Sequence, residues 1–463
     1  MFRSEISRWL KTCTKSLFKN SDSVSAKLRL LEEQVANQQI YLDKTANNSL
    51  SYFTFNGQRI DRLKFDLWEA HQAQLDRVYG LAAEARTRRR IQAVFLVADT
   101  SLWDVYEPIF RRLQADPDFM PRVCAFRRVD VTSDKSANEV QEFFDRRGVS
   151  FELAGFDGQP CLPLDPNRAD LVFYTLGSSA YPEVYRIENV SHYARTCYLS
   201  YGFLLANEFE YQFNQDFHHS AWTVFASTAR EVGLYTQFSK RRRNNVVHAT
   251  YPKLELLDRR RRDVPRQRRT LIIWAPHWTI GQAYPKLNLG MFDRLAQPML
   301  GLFAAHPEVD FVFKPHPNLL FALQSTGLMD EVAYAEFLEQ LKALPNVTVW
   351  KHGGYTDLFL SSHALLTDSV SFLAEYLLTG NPLLFLDRED RVPLSDVGEQ
   401  VIGMHYKARD FEAVRAFVED QVLGGRDPQR EARLALADQV LETAGEPRSL
   451  VIHQHLRRRF HLA

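Results

Sequence analysis

The stretch from Ala364 to Asp387 reads ALLTDSVSFLAEYLLTGNPLLFLD and decides the fold of the region around it. An apolar run leads into the polar residues TDS at 367–369, a helical segment follows, and GNP at 380–382 precedes a second apolar run. This order predicts a buried strand, a helix and a second, parallel strand. The first turn of such a helix exposes backbone N–H groups, which favour a bound phosphate.

The same alternation of apolar runs and amphipathic segments extends over most of the chain. In the N-terminal half we predict strands at 91–99, 121–127, 171–176, 196–202, 221–227 and 245–250. After the highly charged segment 256–269 we predict strands at 270–276, 309–315, 347–350, 364–368 and 382–387, with helices at 288–306, 330–343, 370–379, 409–423 and 428–442. The pattern predicts an α/β protein with two Rossmann-like domains, 91–265 and 266–463, that face a cleft at the ends of their strands.

Residues before position 91 have a helical pattern. Residues 1–24 combine apolar spacings of three, four and seven with lysine and arginine, which predicts a basic amphipathic helix on a membrane surface. The alternative is a helix packed on the rest of the protein. The pattern of residues 25–90 predicts a helical region, either a coiled coil or a hairpin. Such helices could pair between two copies of the chain and form a homo-oligomer.

Composition narrows the class of protein. The 57 Lys and Arg residues balance the 57 Asp and Glu residues, so no overall field recruits nucleic acid and we expect no nucleic-acid partner. The four cysteines match no metal or redox spacing, so we expect no metal and reduced thiols. The sequence lacks both the apolar run that a spanning helix needs and the apolar core of a signal peptide. We expect a cytoplasmic protein, peripheral at the inner face of the cell membrane.

Polar motifs follow several predicted strands of the second domain. His277 in WAPHWT (274–279) is either a general base or a hydrogen-bonded structural histidine. Lys314 and His316 in FKPHPN (313–318) would donate to a phosphate oxygen, unless this segment is only a tight turn.

The third motif lies in the opening stretch. Asp368, Ser369 and Ser371 suit a phosphate at a helix N-terminus, although such residues also cap any helix. Glu375 either accepts hydrogen bonds from donor hydroxyls or faces solvent. Since parallel strand ends share one sheet edge, we expect these motifs to converge on one crevice.

Several of these motifs together resemble the CDP-glycerol glycerophosphotransferase family, which includes teichoic-acid and capsule polymerases. The residues that carry the resemblance are KPHP (314–317), TDSVS (367–371), EY (375–376), NP (381–382) and the segment 245–254. The resemblance covers about residues 170 to 390 and implies a GT-B fold. It also implies an acceptor bound mainly by the first domain and a CDP-linked donor bound mainly by the second.

The resemblance implies roles for individual residues. His316 would contact the donor phosphates, and Asp368, Ser369 and Ser371 would line the pyrophosphate site. An acceptor hydroxyl would attack the β-phosphate of CDP-glycerol or a relative and release CMP, without a cofactor.

One family motif differs in this chain. The family's Trp-His-Gly motif corresponds to Ser-Tyr-Gly at 200–202, which makes Tyr201 and Gly202 acceptor-side candidates but supplies no histidine base. His277 is our candidate base, and His192 is the acceptor-side alternative.

The sequence therefore predicts a transferase that moves a glycerol-phosphate or related polyol-phosphate unit to a hydroxyl of a cell-surface polysaccharide or teichoic-acid-like acceptor. One alternative is a GT-B glycosyltransferase that uses a sugar nucleotide for capsule or lipopolysaccharide synthesis. The other is a non-catalytic scaffold whose helical N-terminus recruits partners. Fold alone does not separate these functions.

Overall fold

The computed structural model describes residues 90–129, 136–249, 251–260, 268–281, 287–350, 354–442 and 446–462, together with scattered positions between 62 and 77. The helix predicted for 1–24 and most of the region 25–90 lie outside these residues. Where the structure describes the segment before the first strand, it is helical and packs on the first domain. There the Arg241 guanidinium lies 4.1 Å from the ring centroid of Trp68.

The first domain contains a parallel seven-stranded sheet in the order β3-β2-β1-β4-β5-β6-β7. Its strands are β1 (Ile91–Val97), β2 (Phe119–Phe126), β3 (Phe151–Ala154), β4 (Leu171–Tyr174), β5 (Arg195–Leu199), β6 (Thr223–Ala226) and β7 (Val246–His248). The described helices around it are α1 (Trp103–Ala115), α2 (Ala137–Asp145), α3 (Ile187–Val190), α4 (Phe209–Phe213), α5 (Asp216–Ser220), α6 (Ala229–Phe238) and α7 (Lys253–Arg260). The apolar run of β1 is continuous because helices cover both faces of the sheet, and Val94, Phe95 and Leu96 are fully buried.

The second domain contains a parallel six-stranded sheet in the order β10-β9-β8-β11-β12-β13. Its strands are β8 (Leu271–Ala275), β9 (Asp310–Phe313), β10 (Val347–Val349), β11 (Ala364–Thr367), β12 (Leu383–Leu386) and β13 (Tyr406–Ala408). The described helices are α8 (Phe292–Ala305), α9 (Leu319–Ser325), α10 (Glu331–Ala343), α11 (Thr356–Ser361), α12 (Val370–Leu377), α13 (Asp396–Gly403), α14 (Phe411–Ala416), α15 (Arg430–Leu441) and α16 (Arg448–Arg459). A π-helical turn, Phe417–Leu423, follows α14.

The predicted fold class is confirmed: two Rossmann-like sheets face each other across a cleft. Two short strands at sheet edges, β3 and β13, are not predicted by the sequence pattern. Most residues in these two strands are partly or fully exposed, so they lack the continuous apolar run that marks a central strand. None of the helices in the described part of the chain is long and apolar enough to cross a membrane.

The last helix, α16, lies against the first domain. His453 Nε2 and Arg457 Nη1 each lie 2.6 Å from Asp116, which follows α1. The Arg195 guanidinium at the start of β5 donates to the carbonyl of Arg459 at 2.9 Å. The C-terminal end of the chain thus completes the core of the first domain.

Both sheets have a switch point at which the strand order reverses. In the first sheet this point lies between β1 and β4, and in the second between β8 and β11. Ligands of open parallel sheets bind outside the carboxyl ends of the strands at such points. The two switch points are therefore the expected position of a ligand site.

Candidate functional site

Asp368, directly after β11, holds the loop that follows β8. Its Oδ1 accepts a hydrogen bond from the backbone N–H of His277, and its Oδ2 accepts one from Met291 at 2.7 Å. The side chain is fully buried, and burial raises the pKa of Asp368 to about 7. Asp368 therefore positions His277 and the start of α8, and any contact with a donor phosphate would compete with these two hydrogen bonds.

His277 lies at the second switch point with a defined tautomer. Its Nδ1 accepts from the Thr279 backbone N–H at 3.3 Å and lies 2.9 Å from the Thr279 hydroxyl, which itself accepts from the Leu289 N–H. This pattern leaves the ring proton on Nε2. Burial lowers the pKa of His277 to about 3, so the imidazole is neutral near pH 7. In this arrangement Nε2–H of His277 is a potential hydrogen-bond donor, and the general-base role predicted for His277 would need the other tautomer.

His316, after β9, repeats this arrangement. Its Nδ1 accepts from the Asn318 backbone N–H at 3.1 Å, which again leaves the proton on Nε2. Burial lowers the pKa of His316 well below its usual value, and His277 and Lys314 lower it further. The ring centroids of His277 and His316 are 5.3 Å apart, and Trp278 stacks on His316 at 5.8 Å. Two neutral imidazole donors thus lie side by side.

Lys314 places a positive charge next to this pair. Its Nζ lies 4.9 Å from the ring centroid of Tyr355 and 5.1 Å from that of Phe372. Phe372 belongs to the first turn of α12, so Lys314 is beside the N-terminus of that helix. Cation–π contacts with two rings hold the ammonium group in place.

The first turn of α12 meets the first domain across the cleft. Ser369 is the N-cap of α12, and its side chain makes no capping hydrogen bond. Ser371 faces the loop after β5, since a side chain added at Gly202 would begin 3.9 Å from the Cβ of Ser371. Tyr201 is 40% exposed, yet desolvation of its hydroxyl group raises its pKa, and a hydrogen bond to Ser371 opposes that rise. The predicted donor side and acceptor side therefore meet at this point.

Glu375, also in α12, binds groups of the protein. Its Oε2 lies 2.6 Å from Lys253 Nζ, and both side chains are almost fully buried. Tyr251 donates to Oε1 at 3.0 Å and Tyr355 donates to Oε2 at 3.1 Å. Because Tyr251 and Lys253 lie at the end of the first domain, this network joins the two domains. A donor contact by Glu375 would require the ion pair to open.

His192 does not reach the cleft. It precedes β5, whereas Tyr201 and Gly202 follow that strand. The two ends of a parallel strand lie at opposite edges of the sheet. The structure therefore corrects the proposed acceptor-side role of His192, and the position of this residue before a predicted strand already pointed to the wrong edge.

Two further charged residues lie at the cleft edge of the first sheet, beyond the site residues predicted from the sequence. Asp99 follows β1 and Arg128 follows β2. Both act electrostatically on His316: Arg128 helps to lower its pKa, and Asp99 acts in the opposite direction. Arg128 also opposes the rise in the pKa of Tyr201. The rule that selected His277, a polar residue directly after an apolar run, would have found both.

In the described residues, no group of three or more His, Cys, Asp and Glu side chains could hold a metal ion. The groups that could hold an anion are the Lys314 ammonium, the Arg128 guanidinium, the two imidazole N–H groups and the first turn of α12. Together they form a basic, donor-rich wall, which suits the phosphates of a nucleotide.

No family model matches the sequence, and no curated protein matches it. Among solved structures, the chain is similar to a UDP-N-acetylglucosamine 2-epimerase, with 11% identity, a TM-score of 0.50, and coverage of 81% of this chain and 97% of that one. It is also similar to MnaA of S. aureus in complex with UDP, with 12% identity, a TM-score of 0.50, and coverage of 81% and 98%. The wall teichoic acid polymerase TagF aligns with 11% identity, a TM-score of 0.49, and coverage of 89% and 98%. The chain has the GT-B-like fold of two Rossmann-type domains.

Proposed function

We propose that this protein transfers a glycerol-phosphate or related polyol-phosphate unit from a CDP-linked donor to a hydroxyl of a cell-surface polysaccharide or teichoic-acid-like acceptor. The observation that supports the proposal is that Lys314, His277 and His316 lie together at the end of the second sheet, beside the helix whose first turn carries Ser371. The family resemblance assigns His316 and Ser371 to the donor side and Tyr201 to the acceptor side. The chemistry of their motifs suggested Lys314 and His277.

The electrostatics of the wall support a pyrophosphate ligand. Lys314 offers a full positive charge, and the imidazoles of His277 and His316 offer N–H donors without adding charge. In phosphoryl transfer, charge develops on the oxygens around phosphorus, and fixed donors aimed at those oxygens stabilise it. Because backbone N–H groups fix both rings, the imidazole N–H groups need little reorganisation when the CDP-linked substrate binds.

The position of the first domain supports attack by an acceptor. Tyr201 makes a side-chain hydrogen bond with Ser371, and a Cβ added at Gly202 would lie 3.9 Å from the Cβ of Ser371. An acceptor that lies along the first domain would bring its hydroxyl to the donor phosphates held by the second. Such placement replaces an encounter of two free molecules by a reaction within one complex.

Donor identity can be tested with a nucleotide panel. We expect CDP-glycerol or CDP-ribitol to raise the Tm of the full chain, whereas UDP-sugars and CMP-sugars leave it unchanged. With a glycerol-phosphate oligomer as acceptor, CMP should be released. A Tm rise with a UDP-sugar alone would favour the glycosyltransferase alternative, and no response to any donor would favour the scaffold.

We also propose that the protein acts at the membrane surface through residues 1–24. Deletion of residues 1–22 should lower its recovery with vesicles that contain anionic lipids and leave CDP-donor binding intact. Unchanged recovery would remove this part of the proposal. Self-association through residues 25–90 stays a prediction, which light scattering of the full chain would test.

A further inference from the structure

The proposed transfer needs a group that accepts a proton, and neither His277 nor His316 supplies one in the tautomer described above. An acceptor hydroxyl that attacks phosphorus must lose its proton, and a general base near the hydroxyl accelerates this step. His277 and His316 each carry the ring proton on Nε2, since Nδ1 accepts from a backbone N–H. Both rings therefore present donors, and the proton acceptor must be another group.

The carboxylates close to the cleft differ in accessibility. Asp368, Glu375 and Asp104 are at most 1% exposed, and each accepts hydrogen bonds from other parts of the protein. Asp99, by contrast, is half-buried, so solvent reaches part of its side chain. Its Oδ1 accepts from the Ser101 backbone N–H at 2.8 Å, which fixes the orientation of the carboxylate.

Asp99 also lies at the position where the fold would place a reacting group. It follows β1, next to the switch point between β1 and β4 of the first sheet. Across the cleft it acts on His316, whose pKa it raises against the lowering by burial, His277, Lys314 and Arg128. The first domain thus contributes a negative charge to the electrostatic surroundings of His316.

We propose that Asp99 is the general base that takes the proton from the acceptor hydroxyl. This inference rests on the proposed function. The acceptor oxygen forms a bond to the β-phosphorus of the CDP-linked donor while its proton passes to the Asp99 carboxylate. The bond from that phosphorus to the oxygen bridging the α-phosphate breaks, and CMP leaves with the electron pair. Protonated Asp99 then releases its proton to water.

The substitution Asp99→Asn tests this role, because the amide oxygen still accepts from the Ser101 N–H. We expect kcat for CMP release with CDP-glycerol and a glycerol-phosphate oligomer to fall by about 10² to 10⁴-fold. The Kd of CDP-glycerol should change less than about threefold. The matched control is Asp165→Asn: Asp165 accepts from the Asn167 N–H at 2.9 Å in the same way, but it precedes β4 at the opposite sheet edge.

A second readout does not depend on turnover. In protein labelled with ¹⁵N-histidine, Asp99→Asn should shift the His316 ring resonances, assigned by their loss in His316→Gln, and Asp165→Asn should leave them unchanged. Unmoved His316 resonances, or a kcat within about threefold of the parent, would overturn the role of Asp99. If the parent neither binds CDP-glycerol nor releases CMP, the proposed function fails and the step fails with it, whatever the resonances show.

Discussion

The two walls of the cleft differ in how firmly their polar groups are held. On the second-domain wall, His277 and Asp368 are buried, and backbone N–H groups fix His277, His316 and Asp368. On the first-domain wall, Tyr201 is 40% exposed and Asp99 is half-buried. A rigid wall suits a ligand of constant shape, such as a nucleotide pyrophosphate. A more open wall suits an acceptor that varies in length or substitution.

The largest expected effect comes from the contact that joins the walls. Glu375→Gln leaves the Lys253 ammonium buried without its counter-charge, so we expect a loss of about 3 to 5 kcal/mol in the free energy of unfolding. Urea denaturation of the full chain measures it. The control is Glu339→Gln, which removes an exposed ion pair with Lys342 of the same 2.6 Å length and should cost less than about 1 kcal/mol. Equal losses would show that burial does not distinguish the two pairs.

The next effect concerns the donors of the rigid wall. His316→Ala removes one N–H from the proposed phosphate site, so kcat for CMP release should fall by about 10² to 10³-fold. His306→Ala is the control, because His306 lies before β9 at the opposite sheet edge. Similar kinetics for both variants would place His316 outside the reaction.

Asp368 makes the stability of the rigid wall depend on pH. Since its folded pKa of about 7 exceeds the ordinary 3.8, the folded state keeps a proton that the unfolded chain releases. The resulting stabilisation is present below pH 4 and is lost as pH rises through 7. Relative to Asp368→Asn, we expect the parent to lose about 2 to 4 kcal/mol between pH 4 and pH 8, since one pKa unit corresponds to about 1.4 kcal/mol. A constant difference between the two unfolding free energies across this range would contradict the raised pKa.

The smallest effect is expected on the open wall. Tyr201→Phe removes one hydrogen bond to Ser371, which corresponds to about 0.5 to 1.5 kcal/mol. We expect the KM for the acceptor to rise by about two- to tenfold while kcat stays within about twofold. Tyr211→Phe is the control, because Tyr211 is 69% exposed. A large fall in kcat would instead mean that Tyr201 touches the reacting atoms.

Much of this architecture was predictable from the sequence. The central strand β8 is apolar throughout, and β11 is apolar up to Leu366, because both faces of these strands are covered; the polar residues that follow mark the cleft edge. The proximity of His277 and His316 followed from that rule. The same rule also applies to Asp99 and Arg128, because they follow β1 and β2.

Other features depend on contacts that no local pattern records. The partners Lys253 and Glu375 are 122 positions apart, so the sequence alone did not reveal that Glu375 joins the domains. The tautomers of His277 and His316 depend on which backbone N–H lies next to Nδ1, and that is set by the turns after β8 and β9. The edge strands β3 and β13 depend on neighbours for their pairing more than on their own apolar residues.

The position of α16 has a consequence for how the protein forms during synthesis. The Arg195 guanidinium lies 4.8 Å from the Trp222 ring and 4.3 Å from the Phe460 ring. This buried charge of the first domain is therefore covered only once α16 and Phe460 have packed against it. Domains generally fold as they leave the ribosome, N-terminal first. Here the first domain exposes Arg195 and its aromatic neighbours until residue 460 has been made. A chain whose synthesis stopped before residue 448 would therefore lack the helix that covers Arg195 in the first domain.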